Sequence, residues 1–320
     1  MIAALGRLLP VHPSVLRHHG VLGMNRRNAR YILPFNPRHF YPRVDDKLAT
    51  KEICREHGIP TPRTFAVIRR HGDLARLEDL VSGYRQFVFK PACGSGGRGV
   101  VVIEAHDAAG FRTAGRETMS LVELRHHVST TLSGLHSLGG QVDRAIMEQR
   151  IVRHPAFDSL AVRGTPDVRV VLYRRVPVMA MIRLPTEASR GRANLHQGAV
   201  GAGIDLCTGT TTSGVWQDRC VARHPDTGVS IVGFRVPYWR SLLTAAMQLA
   251  DALGLDYVGT DLVVDTRAGA VVLEANARPG LAIQVANRLG LLPRLEYVAA
   301  QNRADMPIDR RWELLARLPS

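Results

Sequence analysis

A single run, GTDLVVDTRAGAVVLEANARPG at residues 259–280, limits what this chain can fold into more than any other segment. Two β-rich arms, TDLVVD and AVVLEAN, flank the turn-forming TRAG, which reads as a β-hairpin. Pairing Asp265 with Ala270 across the loop places Asp261 directly opposite Glu274. Side chains alternate faces along a strand, so Glu274 and Asn276 share a face that Asp261 can join. Opposed Cβ atoms in an antiparallel pair lie about 5 Å apart. Two carboxylates at that range destabilise a hairpin unless they are protonated, solvated or neutralised by a cation. An oxygen-only set of this kind suits Mg²⁺ (Mn²⁺ being the alternative), which completes its shell with water and phosphate oxygens. The competing reading is a solvated hairpin edge carrying two acids, and the hairpin alone leaves both open.

A second segment bears on the choice. FVFKPACGSGGRGVVVI, from Phe87 to Ile103, satisfies G-x-G-x-x-G through Gly94, Gly96 and Gly99. A dinucleotide fingerprint needs a helix directly after the glycines, yet VVVIE reads as a strand. A Walker A loop carries its lysine after the glycines, whereas Lys90 precedes them. A protein kinase would need H-R-D and D-F-G segments downstream, and the chain has neither. What remains is a strand–glycine loop–strand hairpin with Lys90 ending its first strand. Such a loop can close over phosphates through backbone N–H groups, with the lysine as a point charge. A hairpin tip with an ordinary surface lysine is the plainer alternative.

In this order the two segments resemble the ATP-grasp superfamily, and within it the RimK-like alpha-L-glutamate ligases and the sugar-transfer-associated ATP-grasp proteins. The resemblance runs over roughly residues 20 to 290 and implies an α+β fold, two α+β lobes clasping ATP. DDKLATKEICREHGIPTP, from Asp45, is similar to the helix that opens the ATP-grasp core. Its Lys47 then corresponds to the first nucleotide-binding lysine, Lys90 to the second, and Gly94, Ser95, Gly96 and Gly97 to the phosphate loop. MEQRI resembles the hinge beside the adenine, implicating Glu148, Gln149 and Ile151. Asp167 in DVRVVLY falls where the ligases contact the ribose, with Arg169 beside it. GRANLHQGA resembles their arginine–asparagine segment, which puts Arg192 and Asn194 on the phosphate and metal side. The metal set becomes Asp261, Glu274 and Asn276.

The implied activity is an ATP- and Mg²⁺-dependent carboxylate–amine ligase. Such an enzyme activates an acid as its acyl phosphate and lets an amine displace phosphate, with glutamate or another amino acid as the first substrate expected. Phosphoryl transfer needs charge neutralisation on its oxygens more than covalent help, and Arg169, Arg183 and Arg192 are the arginines assigned to it. The bland alternatives are a structural Arg169–Asp167 ion pair, a buried structural Arg183, and an ordinary loop amide at Asn194. A small-molecule kinase of the same fold and a non-catalytic ATP-binding regulator stand as the other functional readings. The ligases commonly carry a small polar residue where NARPG has Arg278, which leaves the substrate open between an acidic-group contact and a solvent-facing side chain.

Composition agrees with a cytoplasmic enzyme. The 320 residues suffice for two or three lobes, and Cys54, Cys93, Cys207 and Cys220 show no C-x-x-C spacing that would indicate zinc or a disulfide framework. A net charge of +14, from 42 Lys+Arg against 28 Asp+Glu, favours polyanionic company. Nucleic acid is not expected, for no aromatic-interleaved binding module is present. Residues 1–44 form a Pro-, Arg- and His-rich arm, shorter than the α/β domain that usually precedes an ATP-grasp core. The arm could meet a membrane surface, with Leu5, Leu8 and Leu9 on one side of a short helix, or a partner protein; packing on the protein's own body is preferred. Residues 45–147 should hold the opening helix, the lid and its glycine loop, and residues 148–320 the larger antiparallel sheet with the acidic hairpin. Small-molecule or peptide carboxylate and amine substrates are the expected partners, with a homo-oligomer as a further expectation.

Overall fold

The computed structural model describes residues 12–94, 96–301 and 306–319, so Ser95 of the glycine loop and Leu5, Leu8 and Leu9 of the arm lie outside the described residues. Two antiparallel sheets organise the chain. The smaller contains β1 (Thr64–Ile68), β2 (Phe87–Pro91), β3 (Val101–Asp107), β4 (Gly110–Thr113), β5 (Thr118–Met119) and β6 (Ala145–Glu148), in the order β1-β6-β2-β3-β4-β5. The larger contains β7 (Asp167–Tyr173), β8 (Val176–Leu184), β9 (Val200–Ile204), β10 (Thr211–Trp216), β11 (Arg219–Val221), β12 (Tyr257–Asp265) and β13 (Gly269–Asn276), in the order β11-β10-β9-β8-β7-β12-β13. Among the described residues no helix is long and apolar enough to cross a membrane.

Period-two patterning builds the larger lobe. Val168, Val170 and Leu172 of β7, Ala180 and Ile182 of β8, and Val258, Leu262 and Val264 of β12 bury one face. The Trp239–Leu253 helix covers that face with Leu242, Leu243, Ala246, Leu249, Ala250 and Leu253, and Gly254, at φ +69°, ends the helix. The Lys47–Glu56 helix joins the same core through Cys54. Val171, Tyr173, Met179, Met181 and Tyr257 point to the opposite face. The Leu121–Leu132 helix, opened by a Ser120–Glu123 capping box, packs on the smaller sheet through Leu124, Val128 and Leu132.

Residues of the basic segment before Asp45 cover that opposite face. Leu22, Tyr31 and Ile32 are buried there against Tyr173, Tyr257, Leu292 and Leu295. Gln284 accepts from the Leu22 and Leu291 amides at 2.8 and 2.9 Å and donates to Leu22 O at 3.1 Å. Asn36 is almost fully buried; it donates to Tyr257 O (2.6 Å) and Ala277 O (3.2 Å) and accepts from the Tyr257 amide at 3.0 Å. One side chain therefore satisfies backbone groups at the start of β12 and just past the end of β13, and both ends of the hairpin are fixed to this segment.

Asn36→Ala leaves those backbone groups buried without partners, which costs about 1–3 kcal/mol for each that water does not reach. A loss of roughly 2–4 kcal/mol in chemical denaturation is expected. A loss within 0.5 kcal/mol would show that the segment is not anchored there.

Candidate active site between the glycine loop and the acidic hairpin

The acidic hairpin forms, but by a different route from the expected one. Asp265 faces Gly269 rather than Ala270, so the loop is only residues 266–268. From there the ladder runs to Leu262↔Val272, skips Leu273 and resumes at Asp261↔Glu274. The single extra residue is a β-bulge that exchanges the faces of β13. Ala270 and Val272 point into the core before it, and Ala275 and Ala277 do so after it. Glu274 and Asn276 are thereby turned away from the core, onto the face that carries Asp261. Without the bulge this tighter loop would have aimed Glu274 at the Trp239–Leu253 helix.

Cross-strand neighbours decide how the Asp261 charge is met. In register, Arg169 lies opposite Asp261, and Arg183 lies opposite Asp167. Arg169 donates Nε to Asp261 Oδ1 at 2.7 Å and NH2 to Oδ2 at 2.6 Å. Arg183 grips both oxygens of Asp167 and donates to Asp261 Oδ2 at 2.8 Å. The alternative of an Arg169–Asp167 ion pair does not hold, since Arg169 pairs with Asp261 instead: residues two apart on a strand stand farther from each other than directly opposed ones. Nor is Asp167 exposed as a ribose contact would require, being buried with both oxygens taken by Arg183. Glu274 is half-buried, and its Oε2 lies 3.4 Å from Lys47 Nζ.

The glycine loop meets this cluster through the same lysine. Lys47 Nζ donates to Gly94 O at 2.6 Å. Any side chain at Gly94 would collide with the Pro91 ring, its Cβ falling 2.3 Å from Cγ. Gly99 adopts φ +72° and its carbonyl lies 3.0 Å from His127 Nε2. Gln197 donates to Gly96 O at 3.1 Å, and Asn194 approaches the same glycine, so the loop is contacted from the GRANLHQGA segment of the larger lobe. Arg192 of that segment is exposed, with no ion pair among the described residues. Gly97 lies in the turn at φ +73°.

Under the loop, Lys90 is buried and lies 2.6 Å from Glu148 Oε1, while Lys51 Nζ donates to Glu148 Oε2 at 2.8 Å. Lys51 escaped the sequence reading, although it follows Lys47 by four residues and so shares its helix face. Asp143 was also missed: it accepts from Cys93 N at 3.1 and 3.0 Å and from Ser137 Oγ at 2.6 Å, tying down the start of the loop. At the hinge, the Gln149 N–H donates to Arg63 O at 2.8 Å, so that amide is already engaged where an adenine edge was expected; Ile151 is half-buried two residues on.

The electrostatics divide into two regions. Burial pushes the Asp261 pKa up, but the Arg169 and Arg183 charges outweigh it and hold the group well below the ordinary carboxylate range. Burial, reinforced by the Asp261 charge, pushes Asp167 up to about 7 despite Arg183. Arg183 loses hydration on burial, yet Asp167 and Asp261 raise its pKa above the ordinary arginine value. In the other region, burial opposes ionisation of Glu148, but Lys90 and Lys51 pull its pKa down. Burial also lowers Lys90, with Lys51 and Lys47 adding to the effect against the attraction of Glu148. Two ammonium groups on one buried carboxylate leave a cationic surplus beneath the loop.

The acidic end fits a divalent cation in donor chemistry. Asp261 and Glu274 face each other on one side of the hairpin; Asp261 Oδ2 already accepts from both Arg169 and Arg183, while Oδ1 keeps one lone pair beyond its bond to Arg169. Asn276, next on that face, has a buried Nδ2 that meets no partner among the described residues. Its amide is therefore not committed to the protein.

The chain resembles known proteins in two respects. Residues 26–300 match the family model described as sugar-transfer associated ATP-grasp. No curated protein matches. Among solved structures, the ATP-grasp ligase PsnB, complexed with a minimal precursor, is similar at 15% identity and a TM-score of 0.45, over 84% of this chain and 63% of that one. The D-cycloserine synthetase DcsG is similar at 17% identity and a TM-score of 0.46, over 88% of this chain and 72% of that one. D-alanine–D-alanine ligase from Bacillus anthracis is similar at 14% identity and a TM-score of 0.44, over 87% and 68%. The chain thus spans a little under two thirds of the PsnB length. With a family match that extends over most of its length, this chain belongs to the sugar-transfer-associated ATP-grasp family.

Proposed function

We propose that the chain is an ATP-dependent carboxylate–amine ligase, its phosphates lying between the glycine loop and the acidic hairpin. The observation that carries the reading is Lys47, whose ammonium touches both Gly94 O and Glu274 and so marks where the two halves converge. Lys90 and Lys51 supply further positive charge under the loop, in a buried setting that excludes competing water. Asp261, Glu274 and Asn276 are the residues that would hold Mg²⁺ (or Mn²⁺), which when bound supplies charge neutralisation on phosphate oxygens. Arg183 and Arg169 hold Asp261 ionised and pointed along the shared face. Arg192, exposed and without an ion pair among the described residues, can reach toward an anionic group. Gly96 and Gly97 are assigned to the phosphates, and Glu148, Gln149 and Ile151 to the adenine side.

The chemistry balances without a further reactant. A substrate carboxylate oxygen attacks the γ-phosphorus, the bond to the β-phosphate oxygen breaks, and ADP leaves. An amine then attacks the acyl carbon; phosphate departs with the bonding pair, the nitrogen sheds a proton, and an amide remains. Glutamate or another amino acid is our proposed substrate on one side, a small molecule or peptide on the other. ADP, phosphate and a new amide in equal amounts are the expected products in an assay of amino acids against acidic acceptors. ADP with a phosphorylated acceptor and no amide would establish a kinase instead.

Glu274→Ala should lower kcat about 100-fold or more, in line with loss of a transition-state charge contact. The unfolding transition should barely move, because Glu274 is half-buried and its Lys47 contact is long. Retained turnover would overturn the metal assignment.

Lys90 gives a pH signature. Phosphate binding needs the ammonium form, and in the free protein the Lys90 pKa lies below the ordinary lysine value of about 10.4. ATP affinity should therefore decline as pH rises through that lowered pKa. Binding, which adds negative charge and restores the pKa, should take up protons in the same range. Calorimetry in buffers of different ionisation enthalpy reads the proton count; a release of protons there, or flat affinity to pH 10.4, would remove Lys90 from the phosphate site.

A further inference from the structure

A cavity of about 460 Å³ is lined by Asn28, Ile32, Leu33, Arg38, Tyr41 and Arg278. That volume lies in the range of small-molecule sites, roughly 300–1,000 Å³. It is built by the basic segment on one side and by the continuation of the acidic hairpin on the other. Arg278 follows Asn276 by two residues, with the buried Ala277 between them. The cavity therefore opens beside the same end of β13 that carries Glu274 and Asn276.

Its charge is one-sided. The Arg278 guanidinium lies over the Tyr41 ring, 5.2 Å from the centroid, which holds it in place without neutralising it. Neither Arg278 nor Arg38 has a carboxylate within ion-pair distance among the described residues. Behind Asn28, Arg27 is buried and donates to Pro279 O at 2.8 Å and to Asn28 Oδ1 at 3.1 and 2.9 Å, all neutral acceptors. Its pKa is lowered by burial, and the Arg278 charge adds to the fall. A buried guanidinium without a counter-charge costs several kcal/mol that an arriving anion would offset. Asp45 is the nearby acid: its field reaches both Arg278 and Lys47, yet burial pushes its own pKa up. That shared reach also places the cavity close to the phosphate end of the main site.

We propose that this cavity binds an oxyanion, carboxylate or phosphate, on the second substrate of the ligase, with Arg278 and Arg38 donating to it and Tyr41 fixing Arg278. The proposal rests on the ligase reading of the adjoining site. Two guanidiniums present planar, forked donors that match a carboxylate or phosphate and discriminate strongly against the neutral analogue. The substrate would then be recognised through an anionic group away from the bond being made. The basic segment takes part in binding by supplying Arg38 and Tyr41.

The test is calorimetric titration of protein saturated with Mg²⁺ and the non-hydrolysable analogue AMP-PNP, so that the phosphate site is filled. Glutarate and glycerol 1-phosphate are the anionic probes, glutaramide and glycerol their neutral counterparts. At least one anion should bind, and whichever binds more tightly identifies the group as carboxylate or phosphate. Arg278→Ala and Arg38→Ala should each weaken it roughly tenfold or more while AMP-PNP affinity stays unchanged, since a hydrogen bond to a charged partner contributes about 1.5–3 kcal/mol. Equal binding of neutral and anionic probes, equal binding to wild type and the double variant, or no binding up to about 10 mM would overturn the proposal. Failure of AMP-PNP to bind wild type would instead remove the ligase reading, and the same titration on the free protein would still decide the anion pocket.

Discussion

The ionised carboxylate of Asp261, buried in the interior of a sheet, is the constraint around which the larger lobe is arranged. Removing such a group from water costs several kcal/mol even after the protein relaxes, unless partners of opposite charge surround it. Here the partners come from two other strands, Arg169 on β7 and Arg183 on β8, and Arg183 brings Asp167 with it. A slip of one residue at either ladder would turn an arginine into the apolar core and leave the acid alone. Apolar patterning alone would tolerate small errors in this sheet because both faces are covered. The ion cluster does not, and it fixes the register of the strands that carry the site.

Much of this was legible because it is local. Alternation in TDLVVD and AVVLEAN and the lysine before the glycines both express short-range rules. The hairpin also shows where such rules stop. Its turn was read one residue too wide, and an unforeseen bulge at Leu273 compensated, so Asp261 still met Glu274. Turn composition does not distinguish a three-residue from a four-residue loop when Gly269 can adopt φ +69° at the boundary. Partner choice among charged residues was illegible for another reason. Which acid Arg169 meets depends on β7 lying beside β12, a neighbour relation between segments some ninety residues apart. Lys51, though inside the opening-helix segment, and Asp143, in no motif, gain their roles only when the smaller sheet closes.

The two regions of the site are neutralised to different degrees. Lys51 and Lys90 flank the single carboxylate of Glu148 under the glycine loop, while at the hairpin Asp167, Asp261 and Glu274 are met by Arg169, Arg183 and Lys47. A phosphate chain under the loop would offset the excess positive charge there, in line with the proposed ligase reading. The basic segment extends this pattern outward: it looks like a tail in the sequence, yet it seals one face of the larger sheet and lines a cavity of its own.

Asp46 has a part in this that its position only hints at. It caps the Lys47–Glu56 helix by accepting from the Leu48 amide at 2.9 Å, and its other oxygen takes Arg144, next to β6, at 2.8 Å. The following residue, Lys47, spans the loop and the hairpin. One helix end thus ties together the small sheet, the glycine loop and the acidic strand pair, and their order is thermodynamically shared. Whatever tightens the loop improves the setting of Glu274, and whatever occupies the hairpin must tighten the loop by the same free energy. Any coupling between a ligand at the loop and one at the hairpin would then be a property of a single helical turn, with no large rearrangement needed to transmit it.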